Sequence, residues 1–506
     1  MKQPTRSNDL MWSELFARFK SQTSTLQGQV RDMLMHAVME GFILPGEPLP
    51  SSRFLAQKLG LSRTTVMLAL LALTENGIAI GHPRSGYMVV GQGQSVDPGT
   101  RKPAGEATTQ ASLDWERRLM FTASKQQNIE KPIDWQKQPY PFIYGQFDAS
   151  LFPTLQWREC VLEGLQPRAL RNWAPDHLDR DDELLIEQIQ RRLLPARGIW
   201  VERDEILVTA GAQQATFLLS ELLIGSKTRV GMENPGYPDA RNNFSLRSRN
   251  IQLLDVDADG LVPGPSLSHC DYVYVTPSHQ CPTTVTMSLA RRHMLLAYAS
   301  RHDFVIIEDD HESELNFSGH PSPALKSLDV AQRVIYVGSL SKTLAHGLRL
   351  GFLVAPPELI GELRALRRLM IRHVPTNNQQ SAANFIAHGH HEAFVRRLNT
   401  VYRQRAAALR SALDEHAPEL TQVPAQGGSA LWVTGPKELD ARKLARNLYA
   451  KGVVVEAGNV FFAGHNQPGN HLRIGYSSIE ADRIDKGVRI ISQEIAREMA
   501  STSHPV

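Results

Sequence analysis

Short apolar runs, rich in β-branched and aromatic residues, alternate with helical segments through the middle of this 506-residue chain. Strands that alternate with helices pack as a mostly parallel sheet with crossover helices. Near Pro436 the pattern changes to a smaller α+β portion. The sequence therefore predicts a large α/β core with a small C-terminal subdomain. The clearest runs are Ile206 to Thr209, Tyr272 to Thr276, Phe304 to Ile307 and Val334 to Val337, and in the smaller portion Ser429 to Val433, Val453 to Val455 and His471 to Ile474.

The last run of the core leads into a lysine motif, residues 338–343, with sequence Gly-Ser-Leu-Ser-Lys-Thr. A lysine amine held beside small hydroxyl donors can form a Schiff base, and an arginine about two helical turns further on can grip a phosphate. Ser339, Ser341, Lys342 and Arg349 fit these roles. The motif predicts a pyridoxal phosphate (PLP) site, with Lys342 as its catalytic residue.

Four more features lie on strands or directly after them, where a cofactor site would need them. Ala212 and Gln213 open a helix, whose backbone N–H groups can hold a phosphate. Tyr237 can lay its ring against a pyridine face, and Asp309 can pair with a pyridinium nitrogen. Arg473 can take a ligand carboxylate in a fork geometry. A surface tyrosine and a surface ion pair are the simpler explanations of Tyr237 and Arg473 alone, but the order of the features favours one site.

The first 90 residues have the pattern of a winged helix-turn-helix. Apolar spacing predicts helices over residues 27–40, 52–59 and 63–76, and the stretch 78–90 reads as a hairpin. The third helix turns an apolar stripe inward and leaves polar side chains outward, as a recognition helix requires. The predicted DNA contacts are Arg53, Arg63, Thr64, Thr65 and, in the wing, Arg84. Each arginine alone is more simply a solvated charge or a phosphate contact.

Composition adds weaker constraints. Residues 1–90 hold nine Lys or Arg against six Asp or Glu, a net +3 that points weakly to a polyanion partner. Cys160, Cys270 and Cys281 form no zinc-type spacing, so no metal site is predicted, and their odd number favours a reducing cytosol. The sequence shows neither a signal peptide nor a run long enough to span a membrane, so a cytoplasmic protein is expected.

These patterns set the expected domain boundaries. Residues 1–90 form the DNA-binding domain, and residues 91–139 a flexible linker, with one weakly helical stretch around Trp115 to Phe121. Residues 140–500 form the PLP-binding domain, with the small subdomain at about 436–500.

With these residues in hand, the chain resembles the MocR/GabR branch of the GntR-type bacterial regulators, in which a winged helix precedes a domain similar to fold type I aminotransferases. The likeness covers nearly everything except the linker. The shared strings are Pro45-Gly46 with Leu49 to Arg53, Pro235-Gly236-Tyr237, Thr276 to Gln280, Glu308-Asp309-Asp310, and Ser341 to Ala345 through Gly351.

The resemblance implies a role for each predicted site residue. Lys342 would carry an internal aldimine, with Tyr237 against the ring, Asp309 at the pyridine nitrogen and Arg473 as carboxylate clamp. The implied phosphate contacts are Ala212, Gln213, Ser339, Ser341 and Arg349.

Three departures from the family pattern concern the pocket. His311 stands where many relatives carry a tyrosine that reaches the cofactor's phenolic oxygen, a contact that a histidine N–H can also make. Cys281-Pro282 replaces the transaminase Asn-Pro pair, with His279 and Gln280 as possible substitutes. The stretch 173–183 lacks the common Gly-Tyr-Gly-Asp arrangement, which indicates a different rim.

We therefore predict a PLP-dependent regulator of transcription rather than an enzyme. It would sense an amino acid or related primary amine through an external aldimine, and bind double-stranded operator DNA as a head-to-tail homodimer, as the resemblance implies. The alternative is a working PLP-dependent aminotransferase with a secondary DNA-binding head. A third hypothesis, suggested by His311, keeps the cofactor as a purely structural group in a DNA-bound repressor.

Overall fold

The computed structural model describes residues 7–19, 25–82, 86–90, 113–146, 148–317, 322–464 and 467–502. The chain divides into two compact units, Met1–Arg118 and Leu119–Val506. No helix within the described residues is long and apolar enough to cross a membrane.

The first unit is a winged helix-turn-helix, as predicted. Ser51 and Ser62 each accept a hydrogen bond from a backbone N–H of the helix that follows, which fixes where the second and third predicted helices begin. Val30, Leu55 and Leu70 are fully buried between the helices. The helices are α1 (Ser7–Arg18), α2 (Leu26–Met39), α3 (Ser52–Leu59) and α4 (Arg63–Glu75), followed by the antiparallel strands β1 (Ala79–His82) and β2 (Gly86–Val89).

The second unit is built on an eight-stranded sheet in the order β4-β11-β10-β9-β8-β5-β6-β7. Its inner strands are parallel, while β11 is antiparallel to both of its neighbours and β7 to β6. The predicted α/β core is thereby confirmed. The strands are β4 (Ile206–Thr209), β5 (Val230–Asn234), β6 (Ile251–Asp257), β7 (Gly260–Leu261), β8 (Tyr272–Val275), β9 (Val305–Asp309), β10 (Val334–Ser339) and β11 (Gly351–Val354).

Helices cover this sheet and continue into the C-terminal part. A continuous apolar core lies between strands and helices, and includes Val208, Phe352 and Leu409. The helices are α5 (Thr154–Gly164), α6 (Pro167–Trp173), α7 (Glu183–Gln188), α8 (Ala212–Leu223), α9 (Pro238–Arg247), α10 (Leu289–His302), α11 (Leu325–Leu328), α12 (Pro357–Ile371), α13 (Thr376–Ala387), α14 (His390–His416), α15 (Ala441–Tyr449) and α16 (Ala481–Thr502).

The small subdomain has a four-stranded antiparallel sheet in the order β12-β13-β16-β15. The predicted strand at residue 453 pairs instead, in parallel, with a short strand at Tyr140–Pro141. The strands are β3 (Tyr140–Pro141), β12 (Thr421–Gln422), β13 (Ala430–Thr434), β14 (Val453–Val454), β15 (Glu456–Ala457) and β16 (His471–Gly475).

The segment expected to be a linker differs from the prediction in two ways. Residues 115–121 form turns rather than a helix, because Asp114 Oδ1 accepts the N–H groups of Glu116 and Arg117 and closes a local turn. Residues 119–139 belong to the second unit. Asn242 Nδ2 donates to the carbonyl of Gln127 (2.8 Å), and the Tyr449 hydroxyl donates to Asp134 Oδ1 (2.5 Å).

Candidate functional site

The strand ends of the large sheet bring the predicted site residues to one edge. Ser339, at the end of β10, pairs with Gly351, which in turn pairs with Thr209 at the end of β4. On the other side, Val337 of β10 pairs with Asp309 at the end of β9. The lysine motif, the acidic strand end and the start of α8 therefore meet at one edge, as is usual for ligand sites in open α/β sheets.

Lys342 lies in the turn after β10, with its amine among polar and aromatic groups. Lys342 Nζ is 3.9 Å from Glu312 Oε1 and 4.2 Å from the centre of the Tyr144 ring. A Cβ atom at Gly145 would collide with this nitrogen. Burial lowers the pKa of Lys342, and the Glu312 carboxylate opposes that shift. A lowered pKa increases the neutral fraction of the amine, which is the nucleophilic form.

Asp309 presents one unpaired oxygen. The Tyr274 hydroxyl donates to Asp309 Oδ2 (2.5 Å), whereas Oδ1 has no hydrogen-bond partner in the described parts of the chain. Burial raises the pKa of Asp309. A cationic ring nitrogen at Oδ1 would satisfy this oxygen and stabilise its negative charge. Asp309 therefore fits the predicted partner of a pyridinium nitrogen.

His311 lies beside Asp309. Its Nδ1 is 3.8 Å from Asp309 Oδ1, which is too far for a hydrogen bond and leaves that oxygen unpaired. The structure thus places His311 beside the Asp309 carboxylate. The sequence had instead predicted that His311 contacts the phenolic oxygen of the cofactor.

Tyr237 is the residue before the first turn of α9. Its hydroxyl lies 3.1 Å from Asp239 Oδ2 and 3.4 Å from Gln213 Oε1. Its ring packs against the small cluster that contains Cys281 and Phe461. Tyr237 and Gln213, two predicted cofactor contacts that are distant in sequence, are thereby brought together.

The start of α8 and Arg349 lie together in a corner at this edge of the sheet. Ala212 is the first residue of α8, and Gly211 before it has φ +83°, a left-handed conformation that favours glycine. Arg349 Nη2 lies 3.1 Å from the place where a Gly211 Cβ would stand, and donates to the carbonyl of Ala210 (3.1 Å). Free helix N–H groups beside a guanidinium suit a phosphate.

The two predicted serines complete this corner. The backbone N–H of Ser341 donates to Ser339 Oγ (3.3 Å), which holds the turn. Ser341 Oγ is buried and has no hydrogen-bond partner within the described residues. Asp309 Oδ1 and Ser341 Oγ are thus two unsatisfied buried polar atoms at the sheet edge that holds the lysine motif, and such atoms are unusual in a folded protein unless a ligand satisfies them. The residues present therefore fit PLP.

Arg473, on β16, is fully buried and already has an anionic partner. Its Nε donates to Glu456 Oε2 (2.6 Å), and its Nη2 lies 2.6 Å from the same oxygen. The guanidinium carbon lies 3.8 Å from the centre of the Tyr144 ring and 4.5 Å from that of Phe461. The predicted ligand clamp is thus engaged by a side chain of the chain itself.

The loop that departs from the transaminase pattern is held by its own hydrogen bonds. Gln280 Nε2 donates to the carbonyls of Pro235 (2.8 Å) and Cys281 (2.9 Å), so this amide stabilises backbone. His279 is buried, with an Nδ1 that has no hydrogen-bond partner in the described chain, and burial lowers its pKa to about 4. Of the two residues predicted to substitute for the missing asparagine, His279 has a side-chain nitrogen without a hydrogen-bond partner in the described chain, whereas the Gln280 amide is engaged.

Sequence reasoning missed several side chains of the site. They are Tyr144, Glu312, Glu456, Lys131 and His346. Glu312 follows the acidic end of a buried strand, and that position was a usable signal. Lys131 lay in the segment assigned to the linker, and no local pattern marks Glu456 or Tyr144.

On the first unit, the predicted DNA contacts surround the start of α4. Arg53 and Thr64 are exposed, and Arg63 Nε lies 3.4 Å from the Ser52 hydroxyl. Thr65 Oγ1 lies 2.8 Å from the N-cap serine hydroxyl, so its side chain takes part in the cap. The exposed side chains of Arg53, Arg63 and Thr64 are available for contacts with DNA, whereas that of Thr65 is hydrogen-bonded within the helix cap. Arg84 lies outside the described residues.

The fold and the site define a two-domain protein: a winged helix-turn-helix followed by a fold type I aminotransferase-like domain. Residues 26–89 match the model of bacterial regulatory proteins of the gntR family, and residues 178–491 match that of aminotransferase class I and II. The chain is similar to the HTH-type transcriptional regulator TauR of Rhodobacter capsulatus, with 39% identity over 93% of this chain and 96% of that protein.

Further relatives agree with both halves. The probable rhizopine catabolism regulatory protein MocR of Rhizobium meliloti is 28% identical over 91% of this chain and 92% of its own. A kynurenine aminotransferase of Pyrococcus horikoshii, solved in complex with PMP, is 26% identical with a TM-score of 0.69, and covers 76% of this chain and 98% of its own. The chain belongs to the MocR-type regulators of the GntR family.

Proposed function

We propose that this regulator binds PLP on Lys342 and senses an amino acid or related primary amine in its large unit. The observation that carries the proposal is the pair of unsatisfied buried atoms, Asp309 Oδ1 and Ser341 Oγ, at the sheet edge that also holds the half-buried Lys342. The same chain holds a winged helix-turn-helix with two exposed arginines, Arg53 on α3 and Arg63 at the start of the recognition helix α4. Ligand capture would change operator binding to the extent that the ligand prefers one of two states.

When bound, PLP supplies an aldehyde carbon that can exchange the lysine nitrogen for that of a ligand amine. Asp309 would hold the ring nitrogen, and the corner of Arg349, Ser341 and the start of α8 would hold the phosphate. Arg473 would contact an acid group of the ligand. Burial of Lys342 lowers the pKa of its amine, which increases the fraction in the neutral, nucleophilic form.

The test compares Lys342→Ala with the wild type. We expect the variant to lose the visible absorption band of the lysine-bound cofactor and to show operator affinity that no longer responds to amines. Lys451→Ala is the matched control, since Lys451 pairs with Glu494 away from the site and should retain both properties. A full ligand response in Lys342→Ala would rule out the proposal.

A working aminotransferase remains the second candidate. The favouring observation is the Lys342 amine, whose pKa burial lowers and which lies 3.9 Å from Glu312 Oε1, because such an amine can move a proton at a substrate carbon. Sustained turnover of an amino donor with a 2-oxo acid would establish this activity. Binding without turnover would restrict the domain to sensing.

The partners follow from the same proposal. The operator would be double-stranded DNA with repeated half-sites, and the protein a head-to-tail homodimer in the cytoplasm. The exposed apolar residues Leu369, Met370 and Ile371 at the end of α12 support association with a second copy. The three unpaired cysteines support a reducing compartment. Sedimentation of the purified protein at several concentrations tests the dimer.

A further inference from the structure

Arg473 is fixed in place by its surroundings. It is 1% exposed and lies against two aromatic rings, and Glu456, 6% exposed, fills the side of the guanidinium that carries Nε. Its Nη2 has no hydrogen bond of good geometry within the described chain. A ligand acid group that approaches Arg473 therefore meets a guanidinium whose charge a protein carboxylate already balances.

Glu456 has a second cation within reach. Lys131 Nζ lies 3.9 Å from Glu456 Oε1, the oxygen that has no hydrogen-bond partner among the described residues. Lys131 itself donates to the carbonyl of Tyr144 (2.8 Å). Both residues line a cavity of about 770 Å³ between residues 126–132 and α15. A shift of roughly 1 Å would bring Glu456 Oε1 to Lys131 at the length of a charge-assisted hydrogen bond.

We propose that Glu456 is an internal stand-in for the acid group of the ligand. It pairs with Arg473 while the pocket is empty and turns towards Lys131 when the carboxylate or other acid group of an amine ligand takes its place. The three side chains carry two positive charges and one negative charge, and one ligand anion makes the group neutral. The inference rests on the proposed function, because it names the ligand group that the same site would accept.

Glu456 then acts as a specificity-determining residue. An amine without an acid group leaves the pair with Arg473 intact and does not have to displace Glu456. An amine with an acid group must oppose the like charge of Glu456 and weaken an existing ion pair. Loss of the Glu456 charge should therefore favour only ligands that carry an acid group.

The experiment measures dissociation constants from the visible absorption of the PLP-loaded protein titrated with three amines. They are ethylamine, L-alanine and β-alanine, the last two being ethylamine with a carboxylate on one or the other carbon. We expect Glu456→Gln to bind at least one of the two acids at least about tenfold more tightly, while ethylamine changes by less than about twofold. Glu494→Gln, a buried glutamate paired with Lys451, is the control and should change none of the three constants.

Equal shifts for all three amines, or weaker binding of both acids, would overturn the inference and leave the proposed function intact. If Glu456→Gln does not fold, Glu456→Asp replaces it, since its carboxylate is drawn back by one methylene group and should give a smaller gain with the same selectivity. No spectral change with any amine in the wild-type protein would reject the proposed function, and the inference with it.

Discussion

Substitution of Asp309 by asparagine tests how the unpaired oxygen at the end of β9 is used. Asparagine keeps the shape of the side chain but removes its charge, so the carboxylate can no longer stabilise a protonated ring nitrogen. Tyr274 already occupies Oδ2, so the change acts on the single interaction available at Oδ1. We expect PLP to bind the variant more weakly.

The expected loss of PLP affinity can be calculated from the single interaction at Asp309 Oδ1. A hydrogen bond to a charged group contributes about 1.5–3 kcal/mol. At about 1.4 kcal/mol per factor of ten, the dissociation constant of PLP should rise about 10- to 150-fold. Equilibrium dialysis of the apo-protein against PLP measures this constant directly.

Tyr274→Phe provides the matched comparison. It removes the donor at Oδ2 but leaves the charge of Asp309 and the free Oδ1, so its effect should be less than about tenfold, as expected for one hydrogen bond at a distance from the cofactor. The reasoning is refuted if Asp309→Asn binds PLP as tightly as the wild type, or if Tyr274→Phe has the larger effect.

Four further expectations concern the site, the stability of the large unit and DNA. Gly145→Ala should weaken loading of PLP, seen as a reduced visible band, because its φ of +62° disfavours alanine and the added Cβ would displace the Lys342 amine. Arg197→Met should lower the free energy of unfolding in urea by about 3 kcal/mol, because it leaves the buried Asp310 carboxylate without its cation; adding Asp310→Asn should recover much of the loss. Burial lowers the pKa of His279 from 6.5 to about 4, so the unfolded chain takes up the proton at a higher pH than the folded chain does. The free energy of unfolding should therefore decrease as the pH falls from 6.5 to about 4. Urea titrations at a series of pH values should show a weaker pH dependence for His279→Gln. Arg63→Ala should weaken operator binding by about 1–3 kcal/mol in fluorescence anisotropy titrations, and an unchanged affinity would remove this residue from the interface.

Much of the architecture was predictable because it is encoded locally. The helix boundaries of the first unit follow from Ser51 and Ser62, whose hydroxyls cap the helices that they precede. The edge of the large sheet was predictable for a similar reason. Lys342, Asp309 and Ala212 each follow a recognisable strand, and parallel strands bring their carboxyl ends together.

The surroundings of Arg473 could not be predicted in this way. The partner Glu456 is 17 residues away in sequence, on a neighbouring strand. Lys131, which lies near the N-terminal end of the large unit in sequence, contacts the same site. Such contacts depend on tertiary packing rather than on a local period. The packing of residues 119–139 against the large unit was missed for a related reason. Asn242 holds this segment by a hydrogen bond to the backbone carbonyl of Gln127, and a backbone carbonyl gives no signal in the sequence.

Because residues 119–139 are part of the large unit, they determine where the chain can be cut into fragments. A fragment begun at residue 140, the boundary that composition suggests, would retain β3 but lose Lys131 and with it the second cation beside Glu456. A fragment begun at residue 119 keeps that cation and the bonds to Asn242 and Tyr449. Ligand affinities measured on the shorter piece would then describe a pocket with altered charge, and only the longer piece would preserve the selectivity of the whole chain.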